Sequence, residues 1–125
     1  MPVIQIRTLP QDDSIETVNV LKKVCAAVAR EMNYQPSHVW GTWDIIPPHH
    51  YAVGNYSVPL QPQSTHGPLV RVVSFEGKTK KDVEAVLRTI AEVLSEELKI
   101  DAENIFIEYT EVKSGRIFDG GQVIY

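Results

Sequence analysis

The 125-residue chain has 16 acidic and 12 basic side chains, a net charge of −4, and 43% hydrophobic residues. Those figures describe one domain, residues 1–125, able to bury a core without disulfides or a metal. They argue against a general nucleic-acid or membrane-surface binder, which needs a basic face, and the single cysteine, Cys25, excludes an internal disulfide and fits a reducing cytoplasm.

The sequence shows no signal-peptide pattern, no apolar run that would span a bilayer and no Cys/His spacing of a zinc site. The chain opens Met1-Pro2 and runs directly into a strand, Val3–Leu9, where Ile4 and Ile6 alternate with Gln5 and Arg7. Pro2 has no N–H to give a ladder, a small loss at a strand's first position. With Met1 removed, Pro2 would also carry a free secondary amine on a rigid ring. Since α-amino groups titrate at about 7.7–8.0, a modest depression makes that amine a general base near neutrality.

A helix is expected from about Ser14 to Met32, its apolar face formed by Ile15, Val18, Leu21, Cys25, Val28 and Met32. Asp13 or Ser14 can cap it, with Glu16 in the first turn. The next strand runs His38–Ile46, followed by a polar aromatic loop, Pro47 to Tyr51, that holds His49 and His50. Asn55–Gly67, rich in Pro, Gln and Ser, is the expected linker. Beyond it come a strand Leu69–Phe75, a helix from about Lys80 to Leu98 with Thr79 as N-cap, and a strand Asn104–Val112. The chain closes on a glycine-containing hairpin that carries Arg116 and Asp119.

An internal repeat emerges when the chain is shifted by 66 residues. Pro2 then falls on Pro68, Leu21 on Leu87, Trp43 on Tyr109 and Gly54 on Gly120. The halves, residues 1–59 and 67–125, each read as β-α-β. One helix per half permits parallel strands joined by a right-handed crossover. The fold class is α+β: a four-stranded sheet with both helices on one face. The other face is left bare, and we expect it to pack against further copies in a closed ring.

A duplicated β-α-β unit opening on Met-Pro resembles the tautomerase superfamily, the 4-oxalocrotonate tautomerase and macrophage migration inhibitory factor group. The likeness covers nearly the whole chain and is strongest in "FEGKT" (75–79), "ELKIDAENIFIEYTEV" (97–112) and "TEVKSGRIFDGG" (110–121). It implies a homotrimer with a pocket around Pro2, no cofactor, and proton transfer on a small carbonyl acid, a keto–enol or dienol carboxylate. Some members of the superfamily hydrate double bonds or remove halide instead. The sequence also departs from the pattern. Where the short tautomerases have an arginine on the unit's second strand, this chain has Trp40 and Phe106. Their turn arginine corresponds to Lys78 in one half and Asp12 in the other, and the factor's lysine falls on Tyr34. Pro68 sits inside the chain, so its nitrogen is an amide without base chemistry.

Pro2 is therefore the candidate base. Lys78 and Arg71 are candidates for holding a substrate carboxylate, set against a solvated turn lysine and an arginine packed by its stem. Glu108 either faces solvent, pairs with a cation or handles a proton. Arg116 is a further candidate for substrate binding, although it and Asp119 read first as turn polarity; His49 and His50 read as an exposed loop pair. Trp40, Trp43, Phe106 and Tyr109 read as core or interface aromatics and Cys25 as a small core residue. Two functions follow: a cofactor-free tautomerase or isomerase using Pro2, or a non-catalytic trimer of the same fold that binds a metabolite or nothing.

Overall fold

The computed structural model describes residues 1–60 and 67–125. In chain order they form β1 (Val3–Thr8), α1 (Thr17–Met32), β2 (Trp40–Ile45), β3 (Ala52–Val53), β4 (Tyr56–Ser57), β5 (Leu69–Phe75), α2 (Lys80–Leu98), β6 (Phe106–Val112), β7 (Ile117–Asp119) and β8 (Gln122–Ile124). The main sheet has four strands in the order β2-β1-β5-β6. β1 runs parallel to β2 and β5 parallel to β6, each pair joined by one helix, while β1 and β5 are antiparallel neighbours. The mixed α+β sheet is the expected architecture.

The core lies between the sheet and the two helices. Ile4, Ile6, Val70 and Val72 from the central strands meet Val20, Val24 and Val28 of α1 and Val86, Ile90 and Leu94 of α2. Each such large aliphatic side chain stabilises the fold by about 1.5–3 kcal/mol on burial. α2 matches its expected bounds because its start is chemically marked. The Asp82 N–H donates to Thr79 Oγ1 at 3.1 Å, and the Thr79 N–H donates to Asp82 Oδ2 at 3.3 Å, a reciprocal cap.

α1 differs from expectation at its start and on its buried face. Neither Asp13 nor Ser14 caps it. The Asp12 carboxylate instead accepts from the Ser14 N–H at 2.9 Å, and the Asp12 carbonyl from the Ile15 N–H at 2.9 Å. That turn uses up the residues expected to form the first helical turn, so the helix begins at Thr17 with Glu16 as an N-cap whose side chain makes no capping bond. Val18, assigned to the buried stripe, is 61% exposed, while Val20, Val24, Ala27, Val28 and Ala29 are buried. The helix touches both α2 and the sheet, which centres its buried face on the small residues between the larger ones.

The second strand of each half starts two residues later than its sequence suggests. Short 3-10 turns, Pro36–His38 and Ala102–Asn104, hold the preceding positions. The expected linker begins with strand, since Tyr56–Ser57 pairs with Ala52–Val53. Its residues 61–66 lie outside the described residues.

The face opposite the helices carries Val3, Gln5 and Arg7, Trp40 and Thr42, Leu69, Arg71 and Val73, and Phe106 and Glu108. Strand alternation puts Val70, Val72 and Ile107 on the helix side. The bare face is thus less apolar than the runs "VRVV" and "IFI" suggest. A polar row, Thr42–Gln5–Arg71–Glu108, crosses it in register, with apolar residues confined to the two ends.

Candidate active site

Pro2 is buried at the entry to β1. Its carbonyl accepts from the Trp40 N–H at 3.1 Å, which ties the start of β1 to the start of β2. Its nitrogen has no hydrogen, and in this chain it forms the amide to Met1, so no amine is present there. Met1 is one wall of a cleft of about 470 Å³. The open sheet face supplies Val3, Trp40, Val73 and Phe75; the closing hairpin supplies Ile117, Phe118, Asp119 and Ile124.

This juxtaposition follows from register. Val3 lies between Trp40 on one side and Val73 on the other, which puts the beginning of β1 beside the end of β5. The chain then returns through β6, and the β7–β8 hairpin, paired Ile117 to Ile124 and Asp119 to Gln122, stands beside the same corner. The Trp40 indole is fixed by donating from Nε1 to the Ser37 carbonyl at 3.2 Å. Asp119 Oδ1 accepts from the Gly120 N–H at 2.9 Å, which orients its carboxylate at the hairpin tip. Gly120 has φ +62°, a left-handed conformation suited to glycine in that turn. Asp119 is the one ionisable side chain among the described lining residues.

The other residues singled out from the sequence lie elsewhere in the subunit. Arg71 Nε donates to Glu108 Oε1 at 2.8 Å on the open face, beside a depression of about 310 Å³ that Gln5, Arg7 and Phe106 also line. Both side chains are roughly half exposed, so the pair contributes about 0–1 kcal/mol. Lys78 stacks its ammonium 4.7 Å from the centre of the Tyr34 ring, next to a separate depression with Glu31, Asn33 and Asp82. Arg116 is exposed in the turn before β7, its N–H donating to the Lys113 carbonyl at 3.2 Å. His49 and Ser57 approach to 3.4 Å in an exposed loop. One subunit therefore brings none of these cations to the cleft beside Pro2.

Burial pushes the Cys25 thiol up from its ordinary pKa, which makes it a poor nucleophile in its place between α1 and β2. Among the described residues no group of His, Cys, Asp or Glu is arranged to hold a metal ion. None of the described helices is long and apolar enough to cross a membrane. The hairpin wall was missed by sequence reasoning. Its signal was the alternation in "RIFDGGQVIY", which marks a hairpin but not what it covers.

No family model matches the chain, and no curated protein matches it by sequence. Solved structures do match in shape. A fused 4-OT described as an asymmetric trimer superposes with a TM-score of 0.84 at 12% identity, over 97% of this chain and 94% of that one. The chain has the tautomerase-superfamily fold. A macrophage migration inhibitory factor-like protein from Entamoeba histolytica shares the tautomerase fold at a TM-score of 0.74 and 13% identity, each chain 98% covered. So does N1, a member of the cis-3-chloroacrylic acid dehalogenase family, at 0.76 and 11% identity, over 98% of this chain and 83% of that one. At such identities the tautomerase fold fixes the backbone, and the chemistry has to be argued from the side chains of this chain.

Proposed function

We propose that this protein is a cofactor-independent keto–enol tautomerase, with Pro2 as general base once Met1 is removed. The observation that carries this reading is the position of Met1, bonded to the Pro2 nitrogen and itself a wall of the cleft that Val3, Trp40 and Val73 line. Loss of Met1 turns an amide into a secondary amine at that wall. The apolar surroundings, Val3, Trp40, Val73 and Phe75, disfavour the ammonium form and keep the amine able to accept a proton. It takes a proton from the carbon next to a carbonyl, the electron pair moves into the enol, and the proton returns at the other site. No net oxidation occurs, so no cofactor is needed.

The working unit is a homotrimer. The uncovered sheet face and the trimeric fused 4-OT of the same fold both support this, and sedimentation at micromolar concentration should report three subunits. In such a ring Lys78, Arg71 and Arg116 would reach a substrate across a subunit boundary, and Glu108 would come with Arg71. A second reading, a non-catalytic module of the same fold, is favoured by one observation: Arg71 and Lys78 are already engaged with Glu108 and Tyr34.

The test compares processed protein, protein with Met1 retained, and Pro2→Ala on a panel of enolisable carbonyl compounds. The processed protein should turn over. A general base contributes about 10²–10⁴-fold, so Pro2→Ala, which leaves a primary amine, should lower activity by less than that without abolishing it, and retained Met1 should abolish it. Equal rates in all three, or none above buffer, would reject the reading.

A further inference from the structure

We propose that the second half of the molecule holds one ordered internal water, bridging Ser74 Oγ and Tyr109 Oη in the core beneath β5 and β6. Both hydroxyl oxygens are buried, and among the described residues neither has a hydrogen-bond partner. Ser74 as a whole is 1% exposed. A buried hydroxyl left unsatisfied is costly. Two of them in one otherwise apolar layer point to a small occupant that can both donate and accept.

The first half shows what these two positions do when their side chains meet directly. Shifted by 66 residues, Ser74 corresponds to Thr8 and Tyr109 to Trp43. Trp43 lies beside Ile6 and Tyr109 beside Val72, so in each half the aromatic residue is diagonal to the hydroxyl residue on the neighbouring strand. In the first half Trp43 Nε1 donates to Thr8 Oγ1 at 3.1 Å. In the second half a phenol replaces the larger indole, and serine lacks the threonine methyl. Less side chain spans the same diagonal, and the two polar atoms do not bond. A water takes about 30 Å³ and needs about 2–4 polar partners. Each hydroxyl offers one donor and two acceptor positions, so the Tyr109 O–H can donate to the water and the water to Ser74 Oγ. The site is independent of subunit assembly and of the Pro2 reading. Ser74 shares the helix-facing side of β5 with Val70 and Val72, and Tyr109 packs on the same core. A ring closed through the open sheet face, or the loss of Met1, therefore leaves it unchanged.

The experiment pairs a high-resolution crystal structure of the wild-type protein with thermal unfolding of Ser74→Ala, Tyr109→Phe and the double variant. The structure should show one water within hydrogen-bond distance of both oxygens. Each single variant should lower the melting temperature by a few degrees, since it leaves the water and the remaining hydroxyl short of a partner. The double variant should lose less than the two singles added together. Ser74→Thr combined with Tyr109→Trp, which copies the first half, should expel the water and restore the direct bond. A wild-type structure in which Ser74 and Tyr109 bond to each other, or in which no water lies between them, overturns the proposal even if a variant fails to fold. Single variants that melt at or above the wild-type temperature overturn it as well, because that is the result of removing a hydroxyl that had no partner to lose.

Discussion

The two halves of the molecule share one backbone plan and differ in what they do with it. Positions 66 residues apart correspond closely. The Trp40 N–H donates to the Pro2 carbonyl and the Phe106 N–H to the Pro68 carbonyl, both at 3.1 Å. Asn33 and Lys99 end the helices in the same left-handed conformation, at φ 56° and 55°. The side chains then diverge. In the first half Trp43 Nε1 donates to Thr8 Oγ1 at 3.1 Å. The equivalent Tyr109 and Ser74 hydroxyls in the second half are buried without a partner. α2 has a reciprocal cap and α1 has none. The second half's terminal hairpin walls the cleft at Met1, whereas the first half's β3 and β4 are exposed. Duplication sets a frame, and the two copies contribute different walls to the cleft at Met1.

The sharpest way to break this comparison is at Gly41, which occupies the place that Ile107 holds in the second half. A Cβ there would lie 2.7 Å from both Cys25 Sγ and Leu21 Cδ1. Gly41→Ala should therefore destabilise the protein by about 1–3 kcal/mol through overpacking, read as a lower denaturant midpoint with unchanged slope. No change would show that α1 moves aside freely and that the close approach of the two elements is not a constraint.

A smaller effect is expected at the caps. Thr79→Ala should cost about 1 kcal/mol, while Glu16→Ala, with no capping bond to lose, should change stability by less than about 0.5 kcal/mol. Equal losses in thermal unfolding would erase the distinction between the helix starts.

The smallest effect is a pH dependence confined to the first half, since the position equivalent to Cys25 is Ala91. Burial raises the Cys25 pKa, so the folded state favours the neutral thiol. Its contribution is intact below the unfolded thiol's pKa of about 8.5 and is lost as pH rises toward the folded value, because the unfolded chain then releases the proton first. Wild type should lose more stability than Cys25→Ala between pH 7 and pH 9.5. Parallel losses in urea melts at the two pH values would remove Cys25 from the account.

The same contrast explains what the sequence could reveal. α2 was legible because Thr79 and Asp82 announce its start and Val86, Ile90, Leu94 and Leu98 keep one face. α1 was misread at its start because Asp12 forms a turn of its own, a local competition that periodicity does not register. The four-strand plan followed from the repeat. The open face did not, because its polar row depends on how Gln5, Arg71 and Glu108 align across three strands. Pro2 stood out in the sequence, but its surroundings did not. Phe118 and Ile124 lie more than a hundred residues away along the chain, and only the folded register brings them to Met1.

The ladder of β1 has a further consequence for maturation. Its register begins at Val3, and the sheet's hold on Pro2 is through the carbonyl, never the nitrogen. Met1 can thus leave without breaking a sheet hydrogen bond. On the proposed reading Met1 would be, in a synthetic chemist's terms, a protecting group on the Pro2 nitrogen. On that reading the fold would assemble with the amine masked, and a single hydrolysis would unveil it without disturbing the β1 ladder.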